Sequence, residues 1–108
     1  MFDVPKELIA RLSAICAIGE SEEVDGTVMI EAEQFALSFC FDDSCFEIRN
    51  IETFERGIGR SVLRAIHEYC DEAGLSVYAS NVRDTATGFW SRMGYAEGSV
   101  PGEYFKIT

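Results

Sequence analysis

The chain is poor in the residues from which most metal sites and nucleophilic dyads are assembled. It holds a single histidine, His67, and its four cysteines include no Cys-x-x-C pair. Zinc sites and Cys/His or Ser/His catalysis need such groups at set spacings, so a metal site is not expected. His67 borders an apolar stripe and reads as an edge histidine. Cys16, Cys40, Cys45 and Cys70 each lie in an apolar stretch, which reads as reduced thiols packed inside. No apolar run approaches the roughly 20 residues of a membrane span. The opening "MFDVPKELIARL" lacks the pattern of a secretory leader. Together these absences lead us to expect a cytoplasmic protein with no membrane partner.

Positive charge is also scarce, at 9 Lys and Arg against 19 Asp and Glu for a net charge of −10. Residues 1–48 carry 11 acids and only 2 bases, whereas residues 49–108 carry 8 acids and 7 bases. Such a first half repels nucleic acid and anionic membranes and attracts cations. Four of the nine bases, Arg49, Arg56, Arg60 and Arg64, crowd into one short stretch.

What the chain does have is apolar content, 47% hydrophobic with 12% aromatic, enough for a folded core. With 108 residues, and no repeat, linker or low-complexity segment, 1–108 is expected to be one domain. Residues 5–18 place Leu8, Ile9, Leu12, Ile15 and Cys16 at helical spacing, with Pro5 suited to a first turn. Gly19 then precedes "ESEEVDG", which reads as a charged turn. Segments 27–33 and 34–41 read as an antiparallel hairpin, and 44–54 as a third strand. A helix is expected from Gly59 to about Ala73, with Val62, Leu63, Ile66, Tyr69, Cys70 and Ala73 as its stripe and Gly74 as its stop. A short buried strand over 75–80, a helix over 84–93 and two weak strands around Pro101 and Gly102 complete the order α-β-β-β-α-β-α-β-β.

Strand, glycine turn and helix meet at "FERGIGRSVL" (54–63). A helix's first turn has backbone N–H groups without partners and a partial positive charge, and glycine lets a phosphate come close. Arginine beside it adds charge-assisted hydrogen bonds. By itself the turn is equally explained as a tight connection. A dinucleotide fingerprint is excluded because Val62 stands where its third glycine belongs, and no Gly-Lys-Ser/Thr of a P-loop follows.

Downstream, "GIGRSVLRAIHEYCDEAGLSVYASNVRDTATGFWSRMGY" (57–95) resembles the core of the GCN5-related N-acetyltransferases. Gly57 and Gly59 match the family's Q/R-x-x-G-x-G/A turn, Asn81 its asparagine, Ala86 its alanine, and "FWSRMGY" its closing element. The resemblance implies a mixed, mostly antiparallel sheet with helices on both faces, shortened at the N-terminus. It implies acetyl-CoA as cofactor, held by Arg56, Gly57, Ile58, Gly59, Arg60, Ser61, Asn81, Ala86, Phe89 and Trp90. It further implies acetyl transfer to a primary amine of a cationic small molecule or basic protein, through a carboxylate base on or near the strand before the glycines. Glu47 and Glu52 are the candidates, with Asp43 a third choice.

Two positions depart from the family pattern. Phe54 stands where Gln or Arg is usual, leaving Arg56 or Arg60 to hold the pyrophosphate. Trp90 stands where a tyrosine often protonates the leaving thiolate, which an indole N–H is too weakly acidic to do. Tyr95, Tyr78 or Ser91 would take that part, or the thiolate leaves unassisted. Two other readings follow: a non-catalytic CoA-binding or protein-interaction module, and an acidic mimic of nucleic acid. An uncovered sheet edge also makes a homodimer an expectation.

Overall fold

The computed structural model describes residues 6–107, so Pro5 lies outside the described residues. The order is α1 (Lys6–Ser13), β1 (Ile18–Val24), β2 (Thr27–Ala32), β3 (Phe35–Phe41), β4 (Cys45–Thr53), α2 (Ile58–Ala73), β5 (Ser76–Ala79), a 3-10 turn (Asp84–Ala86), α3 (Thr87–Arg92), β6 (Tyr95–Glu97) and β7 (Tyr104–Lys106). This is a compact α/β domain with one seven-stranded mixed sheet in the order β1-β2-β3-β4-β5-β7-β6. Every neighbouring pair is antiparallel except β4 and β5, which flank the crossover helix α2.

The N-terminal third corrects the sequence reading. α1 stops at Ser13, and the segment expected to be a charged turn is a strand, β1, paired with β2 from Ile18 opposite Ala32 to Val24 opposite Thr27. The signal overlooked was the pair Asp25 and Gly26, whose φ values of 52° and 81° make a two-residue hairpin turn. Hydrophobic alternation is silent here because β1 packs nothing: all its residues after Ile18 are exposed. Glu20, Glu22 and Glu23 line this edge, and charge on an edge strand opposes pairing with another chain.

The helices also differ from expectation. Leu8 and Leu12 of α1 and Val62, Leu63, Ile66 and Cys70 of α2 share one core with Val28, Ile30, Phe35, Leu37, Phe39, Phe46 and Ile48 of the sheet. α3 joins it from the same side, through Trp90 against Tyr95 and Phe89 against Gly59 of α2. Among the described residues no helix covers the opposite face. One apolar stripe per helix and one per strand suffices for a two-layer structure. An Arg11–Glu72 ion pair ties α1 to α2. The four cysteines are free, but only Cys70 is fully buried; the others are half-buried.

Candidate functional site

Three features of the fold converge after β4. First, β4 and β5 pair only from Cys45 opposite Ser76 to Ile48 opposite Ala79, and a hydrogen bond from Ser80 N to Ile48 O (3.0 Å) closes the ladder. Beyond it β4 continues to Thr53 paired with β3 alone, while the other chain turns away through Asn81, held at φ 57°. Second, Arg49 is a bulge: Ser38 faces Asn50 and Phe39 faces Ile48, leaving Arg49 unopposed. A bulge sharpens local twist and re-aims side chains. Third, the chain from Ser80 returns along the open edge as the 3-10 turn and α3.

The outcome is a gap of about 230 Å3 between diverging parallel strands, lined by residues 48–52 on one side and by Ser80, Asn81, Val82, Arg83, Thr85, Ala86 and Trp90 on the other. The free edge of β4 turns backbone groups toward this gap with no strand to pair them. Asn81, Ala86, Trp90 and Glu52 are thus brought together as candidates. Trp90 contributes only a rim, being 4% exposed and packed edge-on against Phe89 and Tyr95.

The glycine turn forms a second recess, of about 460 Å3, lined by Thr53, Glu55, Arg56, Gly57, Gly59, Arg60, Phe89, Arg92 and Met93. The two glycines have different reasons. Gly57 sits at φ 87° with nothing near the position of a Cβ, so backbone conformation alone requires it. Gly59 is buried, and a Cβ there would meet the Phe89 ring at 3.1 Å. Its missing side chain makes room for α3 rather than for a ligand. No side chain caps α2 and no acid lies in its first turn; Ile58 N donates to Glu55 O at 3.4 Å, which leaves the N–H groups of Gly59 and Arg60 available to an anion. Ser61 is occupied locally, its hydroxyl donating to Gly57 O at 3.3 Å, and neither Ser61 nor half-buried Ile58 lines the recess.

Glu47 belongs to the helix-free face and lines neither cavity. Its carboxylate accepts hydrogen bonds from Ser80 Oγ (2.7 Å), Tyr78 Oη (3.1 Å) and Cys40 Sγ (3.2 Å), with Arg49 Nε at 3.5 Å. Burial pushes this carboxyl upward, but the three donors and the guanidinium outweigh it and hold it below the usual range. The same contact raises Tyr78 to about 12, with burial the larger cause. Ser80 lines the gap, so Glu47 is one hydrogen bond from it. Arg49 lines both the gap and a shallow recess of about 310 Å3 on the helix-free face, where Asp25, Asp42, Phe41 and Glu47 lie.

Tyr95 is elsewhere. It is 3% exposed, its hydroxyl lies 2.7 Å from His67 Nε2, and burial above all raises its pKa strongly. A phenol so held is a core group, and it lines none of these recesses. His67 itself is drawn down to about 4, by burial first and then by Lys106, with Asp71 opposing.

The sequence reading names Arg49 only as one of the clustered arginines, and it does not single out Arg83 and Thr85 in the gap or Arg92 at the glycine recess. Arg83 and Thr85 stand inside the resembling segment beside Asn81 and Ala86, which was the available signal. Arg49 needed the bulge, which no residue pattern announces. Among the described residues, no group of three His, Cys, Asp or Glu is placed to hold a metal, and no helix is long and apolar enough to cross a membrane. No family model and no curated protein matches the chain.

Proposed function

We propose that this protein is an acetyl-CoA-dependent N-acetyltransferase acting on a primary amine of a cationic acceptor, built on a GCN5-related acetyltransferase fold. The observation that carries the reading is the divergence of β4 and β5 beside an uncapped, arginine-flanked helix N-terminus. A long ligand with a charged head and a thin arm fits that pair of cavities: anionic groups at the glycine recess, the arm in the gap. The mostly antiparallel sheet with its one parallel pair around α2 supports the same fold assignment.

When bound, acetyl-CoA would supply an acetyl group on a good leaving thiolate. Arg56, Arg60 and the backbone N–H groups of Gly59 and Arg60 would hold its pyrophosphate, and Asn81, Ala86 and the rim of Trp90 would line its arm. Unpaired N–H groups on the free edge of β4 are suited to polarise a carbonyl. Glu47 is kept ionised, the form that accepts a proton, and Ser80 links it to the gap; Glu52, exposed at the gap itself, is the alternative base. The acidic first half and the recess bearing Asp25, Asp42 and Glu47 favour a cationic acceptor.

The burial of Tyr95 favours a second reading, in which the chain binds CoA without turnover. Calorimetric titration with acetyl-CoA, followed by thiol release in the presence of polyamines and lysine-bearing basic peptides, separates the two. Binding with release supports the transferase, and binding without release the second reading. No binding overturns both.

A further inference from the structure

The glycine recess does not end at the glycines. It shares Arg60, Arg92 and Met93 with a groove of about 370 Å3 between α2 and α3, which also holds Arg64, His67, Glu68 and Asp71. Arg60 and Arg64 stand about one turn apart on α2, about 6 Å along the axis, and Arg92 faces them from the end of α3. Like charges at this spacing repel.

In a chain with 19 acids these arginines have every opportunity to pair, yet they do not. Among the described residues the ion pairs are those of Arg11 with Glu7 and Glu72 and of Arg49 with Glu47; Arg56, Arg60, Arg64 and Arg92 have no carboxylate within 4.0 Å. Arg64 even forgoes Glu68, four residues on along the same helix. Glu68 and Asp71 occupy the far end of the groove and bound the positive region there. Two neighbouring cavities that share lining residues, each edged by unpaired guanidinium groups, suit a ligand with two separate anionic centres.

We propose that the α2/α3 groove seats a second phosphate, separate from the diphosphate at the glycine turn, with Arg64 and Arg92 as its partners. Taken with the CoA reading, on which this rests, that group is the monophosphate on the ribose of CoA. The groove therefore makes the protein selective for CoA over dephospho-CoA. Arg92 serves both cavities, and Arg64 serves the second phosphate alone.

Titration calorimetry of the full chain with CoA and with dephospho-CoA tests this in low salt. The wild type is expected to bind CoA at least about tenfold more tightly, the scale of one charge-assisted hydrogen bond. Arg64→Gln, on an exposed helical position where Gln keeps helix propensity, should shrink that difference several-fold, Arg92 keeping the remainder, and leave dephospho-CoA affinity unchanged. Arg56→Gln should weaken both ligands alike. Equal binding of the two ligands by the wild type, or an equal loss of both in Arg64→Gln, overturns the second seat while the CoA reading stands. Failure of both ligands to bind overturns the two together.

Discussion

Under the helices, the sheet presents Val28, Ile30, Phe35, Leu37, Phe39, Phe46, Ile48, Val77 and Ala79, all buried, and among the described residues no polar side chain is fully buried with them. The other face presents Ser38, Cys40, Glu47, Tyr78 and Ser80, half-exposed, with Phe105 stacked on Tyr78 at 5.3 Å and 45% exposed. The first face derives its order from apolar burial, which is non-directional and scales with area. The second derives it from hydrogen bonds converging on one carboxylate. Stability should therefore concentrate on the first face and proton chemistry on the second, so the same kind of substitution should have unequal effects on the two.

The largest expected contrast comes from removing one aromatic ring on each side. Phe39 is fully buried and stacked on Phe46 at 4.7 Å, so Phe39→Ala should cost about 3–5 kcal/mol in denaturant unfolding. Phe105→Ala on the open face should cost under about 1 kcal/mol. An equal loss in both variants would mean that the second face is covered in solution, and the contrast would fail.

Smaller effects are expected at the glycine turn, where the covered face meets the glycine recess. Gly59→Ala forces the Phe89 ring to yield and should cost about 1–3 kcal/mol, as overpacking does. Gly57→Ala meets no atom and pays only for its left-handed backbone, about 1–2 kcal/mol. The sharper test is a double change: Phe89→Leu should relieve Gly59→Ala and leave Gly57→Ala as it was. Thermal unfolding of the four variants measures this.

These two glycines also show where legibility in the sequence ends. The α2 stripe and the alternation of β3 were readable because burial imposes a period on them, and the residues of 57–95 pointed to the turn. β1 is not legible because an edge strand with nothing to bury leaves no period. Helices on both faces are what the resemblance implies, and periodicity offers no check on it, since it says which side of an element is apolar and never which side of a sheet it meets. The bulge at Arg49 and the divergence of β4 and β5 arise from strand twist and pairing, and these are properties of neighbours that the chain brings together from far apart. Gly59 looked like space for a ligand, but the claimant for that space, Phe89, lies 30 residues away.

His67 supplies a pH test confined to the covered side. Its folded pKa of about 4 lies below the ordinary 6.5, so the unfolded chain binds a proton that the native state refuses. Stability from this source is complete above pH 6.5, falls as the pH drops from 6.5 toward 4, and changes no further below. The half-exposed ring screens the effect, so the loss should be on the order of 1–2 kcal/mol. His67→Phe should flatten the melting temperature over this window; an unchanged slope would assign the acid sensitivity to carboxylates instead.

Glu47 carries a signature of the same sign, displaced to lower pH, and the smallest stability effect. Its folded pKa is depressed, so its contribution is present above the unfolded carboxylate pKa and is lost as pH falls through the lower folded value. At neutral pH, Glu47→Gln keeps the shape but gives up charge-assisted bonds from Ser80, Tyr78 and Cys40 and the pairing with Arg49, at about 1 kcal/mol. The gap between variant and wild type should narrow on acidification, while that between His67→Phe and wild type should shift most between pH 6.5 and 4. If Glu47 is the base, the same substitution should lower turnover about 100-fold with CoA affinity unchanged, whereas Glu52→Gln should spare turnover. Loss of activity in Glu52→Gln alone would move the proton chemistry from the open face of the sheet into the gap.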